Sequence, residues 1–362
     1  MLLLVLSLAR PSAPASVPAA VRVVARGVSP EATAENSQRK LLVDPRGRIF
    51  LAFVQPVGGI DQIVVAESGD RGRTWRMQQQ VTHEAQHARL PSLDRFPDGS
   101  LHLVWTEYAP IGRIYYALRR GGRWTDEAAL SVRGIYAGIP VVTPRAGWPH
   151  VLWYGIVPER PSVRTRHGAI YEIVFTRQER TGWTRPVSIS PGIPDSLNPA
   201  LAADSAGVLH AAWYQFDGRV YQIRYRRYDG RWSPVRTLTG GRTENTAVAL
   251  ATSGREVHLV WVEQGAVRRV MYRALAGSAA PIATGAEVRG PVIAAAGGRV
   301  VAAWAQEGRI LLRPLRPAGP ARVVGRGSGP PALALFGDAA MVAWTATTGG
   351  ASDIRFAVTP VR

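Results

Sequence analysis

Polar side chains recur at one point of a repeated pattern in this chain of 362 residues. Several apolar segments end in Trp or Phe, and two positions later a carboxylate or an amide stands in five of six cases: Gln55, Glu107, Gly155, Gln215, Glu263 and Gln306. Carboxylates can transfer protons during hydrolysis, and amides can bind sugar hydroxyls. Glu107 and Glu263 are therefore candidate acid–base catalysts, and the three glutamines are candidate ligand-binding residues.

Further candidates lie close to these positions. The loops that enter the following segments contain side chains able to bind a polar ligand: Arg39, His87, Asn198, Glu244 and Asn245. Tyr108, Tyr154 and Tyr214 stand beside them and can stack on a sugar ring, and Tyr108 is also a candidate nucleophile. The alternative is that the whole set only lines a wet central channel. Glu107 and Glu263 lie three repeats apart, so we expect them to face each other across that channel.

The elements that position these residues are predicted to be β-strands. Seven segments share one apolar pattern and end at equivalent aromatic residues: Phe53, Trp105, Trp153, Trp213, Trp261, Trp304 and Trp344. Each follows an apolar segment and a turn rich in Gly, Asp or Pro, and a further alternating segment comes after it, which is typical of consecutive hairpins. Four-stranded units repeated in this way predict an all-β fold, a β-propeller of seven blades, with six as the alternative. Residues 20–25 are expected to supply the outer strand of the last blade and close the ring.

One motif is specific enough to suggest a family. Ser68-Gly-Asp-Arg-Gly-Arg-Thr-Trp75 is a complete Ser-x-Asp-x-Gly-x-Thr-Trp box between a predicted third and fourth strand. In this box the chain resembles the sialidase superfamily, whose propellers carry such Asp-box (BNR) repeats. The resemblance implies the propeller fold and a structural role for Ser68, Asp70, Gly72 and Trp75.

Sialidase chemistry, as the resemblance implies it, needs three arginines on the sugar carboxylate, a Tyr nucleophile with a Glu, and an Asp acid–base. The best match to the first arginine is Arg89, in Ala88-Arg-Leu-Pro91. Ala88 replaces the aromatic residue of the family motif, and Arg289 stands in the same way before Pro291. A recurring structural position is therefore the alternative to a catalytic role for Arg89.

Histidines do not predict a metal site. His102, His150, His210 and His258 each stand three residues before a repeat Trp, so a propeller distributes them around the ring. Equivalent positions in four blades cannot meet at one ion, and we expect structural roles. The chain has no cysteine and none of the common nucleotide or zinc-protease motifs, so no metal or cofactor is expected.

Composition bounds the partners and the compartment. The formal charge is +18, but the basic residues are scattered, and all except Lys40 are arginines, so a nucleic acid is not expected as a partner. Residues 1–19 read as a signal peptide or a disordered leader, which predicts a secreted or periplasmic protein without stable membrane insertion. Residues 20–362 are predicted to form a single propeller domain.

These observations favour a sialidase-like propeller that binds a glycan, or another polar or anionic ligand, on its axial face. Whether it is an enzyme is left open at this point. One alternative is an exo-sialidase or related glycoside hydrolase, and another is a propeller that binds a protein partner without catalysis.

Overall fold

The chain folds into a seven-bladed β-propeller. The computed structural model describes residues 20–361 except 84, 126, 157–169 and 191–194, so the predicted leader at 1–19 lies outside the described residues. Regular structure in the described part consists of β-strands grouped into seven antiparallel sheets. The innermost strands of successive sheets contact one another, and the seventh returns to the first, which closes the ring. The six-bladed alternative is wrong.

The strands follow the repeat. A first strand, β1 (Arg22–Arg26), precedes blade 1. Blade 1 contains β2 (Leu41–Val43), β3 (Ile49–Val57), β4 (Ile60–Ser68) and β5 (Arg76–Gln80). Blade 2 contains β6 (His87–Arg95), β7 (Leu101–Tyr108), β8 (Gly112–Arg120), β9 (Arg123–Trp124) and β10 (Ala128–Ala129). Blade 3 contains β11 (Ala137–Arg145), β12 (Trp148–Ile156), β13 (Tyr171–Glu179), β14 (Gly182–Trp183) and β15 (Val187–Ser188).

The second half repeats the arrangement. Blade 4 contains β16 (Ser196–Ala203), β17 (Leu209–Phe216), β18 (Tyr221–Tyr228) and β19 (Arg236–Thr237). Blade 5 contains β20 (Glu244–Ser253), β21 (Glu256–Gln264), β22 (Arg268–Ala274) and β23 (Ala280–Gly285). Blade 6 contains β24 (Arg289–Ala296), β25 (Arg299–Gln306), β26 (Arg309–Arg316) and β27 (Arg322–Arg326). Blade 7 contains β28 (Ala332–Phe336), β29 (Ala339–Thr348) and β30 (Ala351–Pro360), with β1 as its outer strand.

The N-terminal strand closes the ring as the sequence predicts. β1 pairs antiparallel with β30, from Arg22 opposite Phe356 to Arg26 opposite Asp353. The side chains of Arg26 and Asp353 add a 3.4 Å ion pair. Blade 7 is thus built from both ends of the described chain, with β1 as its outermost strand.

The recurring aromatic residues fill the interfaces between blades. Each junction between neighbouring blades contains one hydrophobic cluster, and each cluster includes one aromatic residue from a second strand: Phe53, Trp105, Trp153, Trp213, Trp261, Trp304 and Trp344. All seven are at most 2 % exposed. Truncation of a large buried aromatic residue to Ala lowers the free energy of unfolding by roughly 3 to 5 kcal/mol. The aromatic residues that mark the repeat in the sequence are therefore core residues.

The Ser68–Trp75 box forms a turn that is held by its own hydrogen bonds. Asp70 accepts hydrogen bonds from the Thr74 amide (2.8 Å) and from the Thr74 hydroxyl (2.6 Å), while the Ser68 hydroxyl accepts one from the Gly72 amide at 2.8 Å. Gly72 has a φ of +81°, and a Cβ there would lie 2.1 Å from the Phe356 ring. Trp75 packs edge-on against Phe356 at 5.1 Å. The box therefore holds its turn against blade 7.

Five innermost strands carry a bulge with a left-handed residue. The register shifts in blades 2 to 6, next to residues with φ between +48° and +59°: Leu90, Ile139, Asn198, Ala247 and Gly290. In four of these blades a proline follows the left-handed residue. A bulge leaves backbone groups of its strand without ladder partners. These groups become available to the segment that crosses the axis.

Candidate functional site

A short segment before β2 closes the central channel. The Asn36 side-chain amide donates to the backbone oxygens of Ala247 and Pro291, both at 2.7 Å. The Gln38 side-chain amide donates to the oxygens of Leu90 (2.5 Å) and Pro140 (2.9 Å). Two side chains therefore join the bulges of blades 2, 3, 5 and 6. We call residues 35–38 the axial plug.

The only lysine of the chain supports this plug from within. Lys40 is 2 % exposed, and its ammonium group donates to the backbone oxygen of Glu35 at 2.5 Å and of Gln38 at 3.5 Å. Burial lowers the pKa of Lys40 to about 7, and the charge of Glu35 opposes part of that shift. A compact amine at this place fixes the two ends of the plug without a carboxylate in direct contact.

Glu35, the first residue of the plug, lies near side chains of blades 2, 3 and 4. Its backbone is left-handed, with φ +62°, and its carboxylate accepts a 3.0 Å hydrogen bond from the Asn198 side chain. Burial raises the pKa of Glu35, although Lys40 acts in the opposite direction and Glu31 adds to the increase. A carboxyl group with a raised pKa is suited to donate a proton near neutral pH.

Tyrosines from three blades surround Glu35. Tyr108, Tyr154 and Tyr214 come from the ends of the second strands of blades 2, 3 and 4, and each interacts electrostatically with the Glu35 carboxylate. The strand repeat thus brings together three residues that are distant in sequence. We call the surface formed by these tyrosines and Glu35 the tyrosine face.

Additional tyrosines extend this surface. Tyr108, Tyr136 and Tyr154 form a hydrogen-bonded row, with 2.8 Å between the hydroxyls of Tyr136 and Tyr154. Tyr171 packs edge-on against Tyr154 at 5.6 Å, and Tyr221 packs edge-on against Tyr214 at 5.2 Å. Edge-on pairs hold aromatic rings in fixed orientations. The face therefore presents partly buried rings together with hydroxyl groups.

The phenols of this face are held in their protonated form. Burial raises the pKa of Tyr108, Tyr136, Tyr154 and Tyr214 above the ordinary value for tyrosine. Protonated hydroxyls can donate and accept hydrogen bonds, but they are weak nucleophiles without a base. The ligand-binding and nucleophilic roles of Tyr108 both stay predictions.

Arg89 borders the tyrosine face and forms an ion pair with Asp61. Its Nε and Nη2 atoms lie 2.6 and 2.5 Å from Asp61 Oδ2, and His87 Nδ1 lies 3.5 Å from the same oxygen. Arg89 also affects Tyr108 electrostatically, so the two candidates are neighbours. The carboxylate of Asp61 neutralises the guanidinium that the sialidase resemblance assigns to a substrate carboxylate.

Other sequence-predicted residues have structural partners or lie elsewhere. Arg39 lies apart from the tyrosine face, beside the central channel, and forms a 2.5 Å ion pair with Asp94. Asn245 is 2 % exposed and accepts a 2.8 Å hydrogen bond from the Trp261 indole. Glu263 pairs with Arg269 at 2.9 Å. Gln306 accepts from the Trp304 indole at 3.0 Å.

The remaining candidates occupy the predicted ends of their strands. Glu107 is buried opposite Ala88, Gln55 lies opposite Gln62, Gln215 lies opposite Ser196, and Glu244 lies opposite Gln264. All four are at the end of the blades where the tyrosine face lies. Their roles in binding or catalysis stay predictions.

Four residues of the tyrosine face and its surroundings are not among the candidates predicted from the sequence: Glu35, Tyr136, Tyr171 and Tyr221. Tyr171 and Tyr221 begin third strands, and each stands directly before the Glu or Gln that precedes the strand's first isoleucine. That shared position in blades 3 and 4 was a usable signal. Glu35 carried none, because the plug occurs once and has no equivalent in other repeats.

The histidines have local partners in their own blades. Tyr116 and Tyr225 place their hydroxyls 2.6 Å from Nδ1 of His102 and His210, and Tyr272 does so for His258 at 3.1 Å. Burial lowers the pKa of His102 and of His150 to about 4. Among the described residues, no group of three or more His, Asp and Glu is arranged to hold a metal ion. The same part of the chain contains no helix long and apolar enough to cross a membrane.

Comparisons with known proteins identify the fold. No protein-family model matches the sequence, and no curated protein matches it either. Among solved structures, the α-L-arabinanase of Penicillium chrysogenum in complex with arabinobiose aligns with 96 % of this chain and 99 % of its own, at a TM-score of 0.54 and 13 % identity. An ulvan lyase of polysaccharide lyase family PL25 aligns over 82 % and 83 %, at 0.54 and 13 %.

A third similar structure has a different activity. The puromycin-hydrolysing peptidase of Mycobacterium tuberculosis aligns with 94 % of this chain and 56 % of its own, at a TM-score of 0.54 and 16 % identity. At such identities the shared feature is the propeller. The similarity to sialidases rests on the Ser68–Trp75 box and stays a prediction.

Proposed function

We propose that the tyrosine face binds a glycan. The observation that carries this proposal is the convergence of Tyr108, Tyr154 and Tyr214 on Glu35 at the axis. Aromatic rings stack on the apolar faces of sugars, and the neighbouring hydroxyls and carboxyl group match sugar hydroxyls. Similar structures described as an arabinanase and an ulvan lyase act on polysaccharides, which supports the same class of ligand for this chain.

The charges of the face favour a neutral sugar. Arg89 is paired with Asp61 through two nitrogens, so its positive charge is already compensated. Glu35 presents a carboxyl group directly at the centre of the face. A carboxylate-bearing sugar such as a sialic acid would meet this group without an available cation from Arg89. We therefore rank neutral glycans above anionic ones for this face.

Binding can be tested with a panel of neutral and acidic oligosaccharides measured by calorimetry, including arabinobiose and a sialyl-lactose. We expect a neutral sugar to bind, and Tyr154→Ala and Tyr214→Ala to weaken it at least tenfold, about 1.4 kcal/mol, because stacking area is lost. Tyr272→Ala is the matched control, since that tyrosine pairs with His258 in blade 5. Equal affinity in all four proteins, or no bound sugar, would contradict the proposal.

Glycoside hydrolysis is the second candidate function, and the raised pKa of Glu35 favours it. Glu35 would act as the general acid that protonates the leaving oxygen. Glu35→Gln should then reduce the turnover of aryl glycosides at least a hundredfold, while sugar binding persists. Activity of the wild type should fall as pH rises through the raised pKa of Glu35. If Arg89→Ala but not Glu35→Gln abolishes sialoside cleavage, the sialidase alternative replaces this one.

A further inference from the structure

We propose that the face of the ring opposite the tyrosine face holds a second binding site, which takes a sulfated polysaccharide along a belt of arginines on blades 7, 1 and 2. This site is independent of the proposed glycan site, because it lies at the other ends of the strands. Tyr108 ends β7 on the tyrosine face, whereas Leu101 begins β7 opposite Arg95. The turns around Arg46, Asp98 and Gly121 are on this opposite face as well.

The centre of the belt is a cleft between blades 1 and 2 with a volume of about 470 Å³. Five arginines line it, from the β2–β3 turn, β6 and β8: Arg46, Arg48, Arg95, Arg119 and Arg120. Three carboxylates, Asp44, Glu67 and Asp98, also line it. The cleft therefore carries a formal charge of 5 − 3 = +2 from these residues.

The acidic groups of the cleft are already engaged. Asp44 binds Arg48 Nε at 2.7 Å and two amides of its own turn. Glu67 lies 3.4 Å from Arg119 and 3.9 Å from Arg48, and Asp98 lies 3.0 Å from Arg120. These pairs hold three guanidinium groups in fixed positions while leaving further N–H donors on each.

Two arginines of the cleft remain available. Among the described residues, none forms an ion pair with Arg46 or Arg95. Arg46 is exposed, and Arg95 is half-buried against the Gly99 turn. An arginine fork donates two parallel hydrogen bonds to a tetrahedral oxyanion, and a pair of them in one cleft suits a sulfate or phosphate ester.

The belt continues onto blade 7. The Nε atom of Arg71 lies 3.7 Å from the position that a Cβ on Gly47 would occupy. Gly47 follows Arg46 in the β2–β3 turn, so Arg71 lies beside that turn. Arg71 also lines a neighbouring groove of about 290 Å³ together with Arg22 and Arg73, and all three are exposed. Arg71 thus lies between the two depressions, and arginines spread over both fit an extended polyanion better than a single ion.

The lining favours a polysaccharide over a single-stranded nucleic acid. Proteins that bind single strands stack bases on exposed aromatic rings. The aromatic rings that line the two depressions, Phe50 and Phe356, are at most 3 % exposed. Arg48 and Arg119 lie over the Phe50 ring at 5.7 and 5.9 Å. The two depressions thus offer guanidinium groups that can bind ester oxyanions, and their aromatic rings are too buried to stack on bases.

The test compares two triple variants of equal charge. The belt variant changes Arg46, Arg73 and Arg95 to Gln, and the control changes Arg180, Arg231 and Arg255, which are exposed on blades 3 to 5, to Gln. Binding of dextran sulfate and of uncharged dextran is measured at several salt concentrations, after melting curves show that both variants fold. If the belt variant unfolds, the double variant at Arg46 and Arg73 replaces it.

We expect dextran sulfate to bind and dextran not to bind. The belt variant should lose at least tenfold in affinity, with a salt slope smaller by about one per lost ion contact, while the control stays within twofold. Equal losses in both variants would show a diffuse effect of net charge and overturn the site. Absence of binding would overturn it too. Tighter binding of single-stranded DNA with the same loss in the belt variant would overturn the assignment to a polysaccharide.

Discussion

The two faces of this ring differ in whether their arginines are paired with carboxylates. On the tyrosine face, Arg89 is clamped by Asp61 through two nitrogens at 2.5 and 2.6 Å. On the opposite face, Arg46 and Arg95 line a cleft of about 470 Å³ without an ion-pair partner among the described residues. The total charge of +18 predicts neither arrangement. Local pairing decides where a positive charge is available, and composition only supplies the residues.

The faces also differ in what fixes them. The tyrosine face stands on the axial plug, which hydrogen-bonds to the backbone of four blades. The arginine belt stands on turns within single blades, such as the one held by Ser68 and Asp70. A change in one support should therefore leave the other face intact. Three substitutions test these supports, and the last of them compares the two faces directly.

The largest effect is expected at the turn behind the belt. Gly72→Ala should reduce the free energy of unfolding by about 3 to 5 kcal/mol, because a left-handed backbone and a clash with Phe356 act together. Gly121→Ala is the matched control: its φ is +59°, but no atom lies within 4 Å of the added Cβ, so only about 1 to 2 kcal/mol should be lost. Chemical denaturation measures both. Equal losses would mean that the contact with Phe356 contributes nothing.

A second substitution acts on the support of the tyrosine face. The pKa of Lys40 is about 7 in the folded chain against 10.5 for an exposed lysine, so between these values the unfolded state binds more protons. Stability should consequently rise with pH, by about 2 kcal/mol from pH 7 to pH 9. Lys40→Met should remove this rise, as measured by urea denaturation at both pH values. A rise that persists in the variant would assign it to other groups.

The smallest effect is expected within the tyrosine row. Tyr136→Phe removes the hydroxyl that bonds to Tyr154 at 2.8 Å and to Tyr108, but it keeps the ring. We expect a loss of about 1 kcal/mol in the free energy of unfolding and a weaker affinity for a neutral sugar. Binding of dextran sulfate should not change. A parallel loss at both faces would show that the two supports are coupled.

Much of the fold could be predicted because one physical requirement recurs. Every junction between blades needs a large buried ring, so Trp105, Trp213 and their equivalents mark the repeat in the sequence. The closing strand could be predicted from the missing fourth strand of the last repeat. The residues of the Ser68–Trp75 box also adopt the turn that their types require.

The site could be predicted only in part. Strand ends follow the repeat, so the ends of β7, β12 and β17 bring Tyr108, Tyr154 and Tyr214 together. The plug occurs once in the chain, and its residue Glu35 has a left-handed backbone. Arg39 lies beside the central channel, and Glu35 lies near Tyr108, Tyr154 and Tyr214. No periodic signal marks a segment that has no equivalent.

The pairing of β1 with β30 has a consequence for how the chain reaches this structure. Arg26 and Asp353 are separated by 327 residues along the chain, yet they meet in one sheet. Contacts of such long sequence separation form late and slowly in folding. Blades 1 to 6 can assemble in order as the polypeptide leaves the ribosome, but the ring closes only after the β29–β30 hairpin has emerged and paired with β1, a strand that is synthesised before all seven blades.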